Sequence, residues 1–176
     1  MGVHILLLRQ FIGANCVTTF ASQIIAAFNP QISVYMGLIL NLIQFLGDLL
    51  SVIFLAYKFG RRPILTSGII LMTIFSFGIA VTLIYQVEDA IYLFMSIYMF
   101  LNGGAVLTTA YSYPSEILAP EVAFIPNTLG WLALAIVTSV PPIIVGLMPE
   151  NNAYPLFLFF GGYGIFTSII LVLYMK

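Results

Sequence analysis

The sequence predicts an all-α integral membrane protein, a single domain of six transmembrane helices over residues 1–176. Three observations predict it. The composition is 62% hydrophobic and only 6% charged, with a mean hydropathy of +1.14. A soluble chain of 176 residues could not cover its surface with so few charges, so lipid must be the outer solvent. The charges also fall at a regular interval. None lies between Arg62 and Glu88, Asp89 and Glu116, Glu121 and Glu150, or Glu150 and Lys176, and each gap is roughly the ~20 residues that one helix needs to cross the hydrocarbon core. Finally, the apolar runs are continuous rather than alternating, which argues against a transmembrane β-barrel.

Taken in order, the helices are expected near 5–28, 32–57, 64–86, 90–113, 122–147 and 154–175. Met1 to Leu8 makes a poor signal peptide, because Arg9-Gln10 interrupts the apolar run almost as it begins, so the chain is expected to open directly with a spanning segment. The first two helices are separated by the turn signal Asn29-Pro30-Gln31. Between the second and third lies Tyr57-Lys58-Phe59-Gly60-Arg61-Arg62-Pro63, which holds three of the five Lys and Arg residues. Gly60 permits a tight turn there, and Pro63 suits the first turn of a new helix, where its missing N–H costs nothing. Lys and Arg resist translocation, so this loop is expected on the inner side of the membrane. Both termini and the Ser115–Glu121 loop then share that side. The outer turns, Asn29–Gln31, Gln86–Asp89 and Pro149–Asn152, carry Glu88, Asp89 and Glu150 but no Lys or Arg. Arg9 lies within the first helix, from which its long side chain can snorkel to the interface.

Several function classes are excluded. The net charge is −1 and no basic tract occurs, so nucleic acid is not expected as a partner. Single Cys16 and single His4 allow neither an internal disulfide nor a metal site. No nucleophile–base pair or phosphate loop is visible, so no catalytic residue and no cofactor are expected.

What remains is a set of polar residues inside apolar helices. In the first, Asn15, Thr18, Thr19 and Ser22 share one face at helical spacing, with Gln10 a turn before them. Ser and Thr can simply join helices by hydrogen bonds; Gln10 and Asn15, costlier in lipid, either do the same or line a wet cavity. In the second, Asn41, Gln44, Asp48 and Ser51 recur at steps of three and four. Asp48 falls near mid-membrane, where an ionised carboxylate costs about 2.5–3.5 kcal/mol on insertion scales. It is expected to face the bundle interior, as a proton or substrate site or as a buried structural acid. The fourth segment contains Asn102-Gly103-Gly104, a mark of close packing or of a bending helix. The fifth carries Gly130-Trp131 and the kink signal Pro141-Pro142, and the sixth Gly161-Gly162-Tyr163-Gly164, small residues suited to helix contact. Glu116 and Glu121 are the natural acidic partners for Arg61 and Arg62.

These landmarks together resemble the C-terminal half of a sugar porter of the major facilitator superfamily. Gly60-Arg61-Arg62-Pro63 is similar to that family's repeated glycine-arginine-arginine loop. Gln10-Phe11-Ile12-Gly13-Ala14-Asn15 is similar to its glutamine-x-x-glycine-x-asparagine pattern. Tyr111-Ser112-Tyr113-Pro114-Ser115-Glu116 looks like its aromatic-then-serine-glutamate segment, and Trp131 fits a family tryptophan. The resemblance implies that Gln10, Asn15 and Trp131 face a sugar or small polar solute, and in a transporter half Gln44 and Asp48 of the second stripe would line the same path. It implies too that Arg61, Arg62, Glu116 and Glu121 form an inner charge network. The departures are specific: the polar ligand of the fourth segment falls at Gly103, the gate prolines are replaced around Val106, Thr108 and Ala110, and an asparagine is replaced by Gly130. The family's cavity lies between two halves that move about a midplane site, so the expected partners are membrane lipid and a second transporter half or other membrane subunits. Two readings follow: a transporter half, or a degenerate, non-transporting structural subunit of a larger membrane complex. An intramembrane enzyme is the weakest alternative.

Overall fold

The computed structural model of the chain describes residues 11–26, 28–55, 58, 60–110, 112, 128–129, 132, 135–136 and 153–174. Among the described residues the regular structure is helical throughout. The elements are α1 (Ala14–Ala26), α2 (Pro30–Leu50, running on through a π-helical turn, Ser51–Leu55), α3 (Arg61–Tyr85), α4 (Glu88–Leu101, running on through π-helical Asn102–Leu107) and α5 (Tyr154–Tyr174). Among the described residues, four stretches are long and apolar enough to cross a membrane, namely Pro30–Ile53, Arg61–Tyr85, Glu88–Ala110 and Tyr154–Leu173. The expected helix over 122–147 lies largely outside the described residues; Thr128, Leu129, Leu132, Ala135 and Ile136 within it are helical.

Local chemistry explains where these helices begin and end. Asn29 has extended backbone and caps α2, its side-chain oxygen accepting from the N–H groups of Gln31 (3.2 Å) and Ile32 (3.4 Å). Pro30 occupies the first helical position, where no N–H is wanted. Gly60, at φ +75°, turns the chain into α3, whose third residue is Pro63. At the far end of α3, Gln86 adopts the left-handed conformation (φ 54°). Its N–H bonds the Leu83 carbonyl, and the N–H of Val87 bonds that of Thr82, a Schellman-type closure. Glu88 and Asp89 then open α4, where the N-terminal end of the helix dipole favours negative charge.

The core runs between the helices. α3 packs along α5 and α4, α1 packs on α2, and α2 also meets α4 and its π-helical turn. Small residues set the α3–α5 distance: a Cβ added at Gly164 would lie 2.2 Å from Thr73 Oγ1, and one at Gly161 2.8 Å from the Phe77 ring. One turn before Gly161, the Phe157 carbonyl of α5 accepts from the Ser76 hydroxyl across 2.8 Å. In lipid no water competes for such groups, so helices associate through close packing and a few polar bonds.

The first helix differs from expectation. Instead of running unbroken through 5–28, it is interrupted at Ile12–Gly13, ahead of α1. Gly13 sits at φ +87°, open to glycine and strained for other residues. The Phe160 ring covers it so closely that a Cβ there would lie 2.3 Å from the ring carbons. The Ile12 carbonyl at the break accepts a hydrogen bond from the hydroxyl of Tyr98, a fully buried side chain of α4. Tyr98→Phe should therefore strand a buried carbonyl and lower stability by about 1–3 kcal/mol. Thermal unfolding of the purified protein in detergent measures this, and an unchanged melting curve would remove Tyr98 as the partner that holds the break.

Candidate functional site: polar stripes of α1 and α2

Along α1 the apolar face of Ala14, Val17, Ala21, Ile24 and Ile25 is buried. Asn15, Thr18 and Ser22 lie beside it, half-buried. Thr18 Oγ1 donates to the Asn15 carbonyl across 2.9 Å. Its hydroxyl is thus engaged with its own helix rather than joining α1 to a neighbour.

The stripe on α2 is graded rather than uniform. Asn41 is exposed and its amide donates to the Gly37 carbonyl at 2.8 Å. Gln44 and Asp48 are half-buried, and Ser51 is buried. The cause is geometric: ten residues at 3.6 per turn fall about 80° short of three full turns, so the stripe winds from the outer face into the bundle. At its inner end the Thr108 hydroxyl of the fourth segment lies 3.2 Å from Ser51 Oγ and 3.3 Å from the Gly103 carbonyl. That contact links the two π-helical turns. π-bulges recur at functional sites.

Between those turns, backbone meets backbone. A Cβ on Gly47 would stand 2.4 Å from the Phe100 carbonyl oxygen and 2.9 Å from the Gly104 nitrogen. One on Gly103 would stand 2.1 Å from the Gln44 carbonyl oxygen and 3.0 Å from the Asp48 nitrogen. The turn that presents Gln44 and Asp48 is therefore seated directly on Asn102-Gly103-Gly104. The space beside Gly103 is filled by the main chain of α2. A side chain at residue 103 has no room.

The structure brings Gln44, Asp48 and Gly103 together at the α2–α4 contact and sets Asn15 on the helix packed against α2. Arg61 is half-buried and Arg62 exposed at the start of α3. Gln10, Trp131, Glu116 and Glu121 lie outside the described residues. Among the described residues no three of His, Cys, Asp and Glu are placed to hold a metal ion. Sequence reasoning missed Gly47, the Ser51–Thr108 link and Tyr98. Gly47 sits inside the Gln44–Asp48 turn and could have been paired with Gly103-Gly104 as two small-residue patches.

A multi-span helical domain with polar stripes on neighbouring helices is the architecture of a membrane transporter domain. The whole chain, residues 1–176, matches the family described as sugar (and other) transporter, and the chain belongs to that family. It is an integral, multi-pass membrane protein. Its fold resembles part of a major facilitator superfamily transporter. The proton:xylose symporter XylE, solved bound to 6-bromo-6-deoxy-D-glucose, superposes with a TM-score of 0.85 at 20% identity. That likeness covers 99% of this chain and 39% of the XylE chain. No match was found among the curated proteins.

The α2–α4 contact yields a direct comparison. Gly103→Ala must push main chain against main chain, a cost of about 1–3 kcal/mol. Gly162→Ala, with nothing within 4 Å of its Cβ, should leave stability level or raise it by up to about 1 kcal/mol through helix propensity. Equal melting temperatures for the two variants in detergent would show that α2 and α4 do not meet this closely.

Proposed function

We propose that this chain is one half of a sugar-porter-type transporter, moving a sugar or a small polar solute by alternating access together with a second half. The observation that supports it best is the incomplete cover of α2. Only 22% of its span is buried, against 50% for α3 and for α4, while its half-buried Gln44 and Asp48 and the half-buried Asn15 of α1 border the open side. Asn and Gln side chains both donate and accept, which matches sugar hydroxyls. A second six-helix body against this face would enclose the stripes and convert them into the wall of a midplane cavity. In that reading Asn15, Gln44 and Asp48 contact the solute, joined by Gln10 and Trp131. Arg61 and Arg62 pair with Glu116 and Glu121 at the inner surface.

One observation favours a second reading. The close seating of α2 on Gly103 leaves no place for a ligand side chain at that position. A non-transporting subunit of a larger membrane complex would have no use for one.

Uptake separates the two. Vesicles from cells producing the chain should accumulate labelled monosaccharide above control vesicles. Asn15→Ala should cut uptake by about tenfold, the equivalent of one lost hydrogen bond to a bound solute. Asp48→Asn, which removes a titratable group and keeps its shape, should alter the pH dependence of uptake. Uptake no greater than in control vesicles, with the chain recovered only in a complex, would leave the structural reading. Orientation has its own test. Impermeant thiol reagents should label Glu88→Cys from one face of sealed vesicles and Arg62→Cys from the other, and labelling of both from one face would sink this topology.

A further inference from the structure

A crevice of about 390 Å³ opens between α2, α3 and α4, away from the polar stripes. Leu50, Leu71 and Phe100, all exposed, form its walls. Its floor exists because Gly104 offers no side chain, while α3 and α4 are drawn together at Gly68, where a Cβ would come within 2.2 Å of the Ala105 methyl. Ser67 also lines it, but its hydroxyl donates to the Ile64 carbonyl across 3.1 Å, so the surface offered is apolar. In a bilayer such a void loses dispersion contacts unless hydrocarbon enters it.

What fills it is indicated by the mouth. Pro63 lies on the rim and directly follows Arg61-Arg62; Arg62 and Lys58 are exposed. Gly60, ahead of α3, makes no side-chain cap, and the positive end of this 25-residue helix lies beside Pro63. The acidic pair Glu88 and Asp89 opens α4, one full span of α3 away. From Pro63 to Leu71 the crevice descends about 12 Å along α3, close to the ~15 Å of hydrocarbon in one leaflet. Positive charge at headgroup level above an apolar slot one leaflet deep is complementary to a single kind of molecule.

We propose that this crevice seats an anionic glycerophospholipid of the adjoining leaflet. One acyl chain lies between Leu50, Leu71 and Phe100 over Gly104, and the phosphate rests among Lys58, Arg61 and Arg62. Guanidinium groups bind phosphate through paired, charge-assisted hydrogen bonds. Lipid held in this way differs from the surrounding annulus in being selected by charge and fixed by shape. The proposal shares the basic loop with the inner charge network of the transport reading, but it concerns a different face and needs no solute.

Native mass spectrometry of the purified full chain, equilibrated with equal amounts of phosphatidylglycerol and phosphatidylcholine, tests it. One phosphatidylglycerol should be retained in preference to phosphatidylcholine. Arg62→Gln should reduce that preference by about fivefold, the share of one basic residue near a membrane surface. Ser67→Phe and Leu71→Trp, which fill the slot from exposed positions, should each lower retention of both lipids, with helical circular dichroism and a single size-exclusion peak verifying the fold. Equal retention of the two lipids by the unaltered protein would overturn the proposal. So would phosphatidylglycerol retention left unchanged by whichever slot-filling variant is folded, since the lipid would then be annular.

Discussion

Everything in the α2–α4 half of the bundle follows from main chain touching main chain at Gly47, Gly103 and Gly104. In water such an approach would be driven by apolar burial; in lipid it must come from packing, since hydrocarbon surrounds both helices before and after they meet. Glycine permits the approach by removing the side chains that would hold the helices apart. The close contact fixes the turn bearing Gln44 and Asp48, brings Ser51 to Thr108, and leaves α3 to close the third side through Gly68 and Ala105. Neither polar stripe nor crevice could lie where it does with a Cβ at residue 103.

The two π-helical turns belong to the same arrangement. A helix widened by one residue per turn offsets the register of its side chains, and here both widened turns lie at the contact, Ser51–Leu55 on one helix and Asn102–Leu107 on the other. Within a membrane every displaced carbonyl needs a donor from protein. Thr108 lies within reach of the Gly103 carbonyl, and the Tyr98 hydroxyl meets that of Ile12 at the break before α1. Hydroxyls of the fourth segment thus answer irregular backbone both in their own helix and in a neighbour.

How much of this was legible depended on whether the cause was local. The all-helical class and the turns at Asn29-Pro30 and Gly60 could be read because a cap, a proline and a flexible residue act within a few positions of themselves. The reversal at Gln86 was readable as a turn from its charges, though not as a left-handed residue, since glutamine carries no such signal. The Ile12–Gly13 break was not readable. A lone glycine in an apolar run is compatible with an intact helix, and what stabilises the break is Tyr98, 86 residues away. The polar stripe on α2 was visible as spacing, yet its gradual winding inward depends on which neighbour meets which edge. The Gly103-Gly104 pair was visible as a mark of close packing; that the main chain of α2 is what packs there is a tertiary fact.

The short capped turns at Asn29 and Gln86 have a consequence for biosynthesis. Each joins two antiparallel helices, so α1 with α2 and α3 with α4 form hairpins whose open ends lie on one side. In the orientation proposed above, a hairpin can enter the bilayer as a unit, with only its tip passing through. The first tip is uncharged, and the second carries only Glu88 and Asp89. Lys58, Arg61 and Arg62, between the two hairpins, never leave the compartment in which the ribosome delivers them.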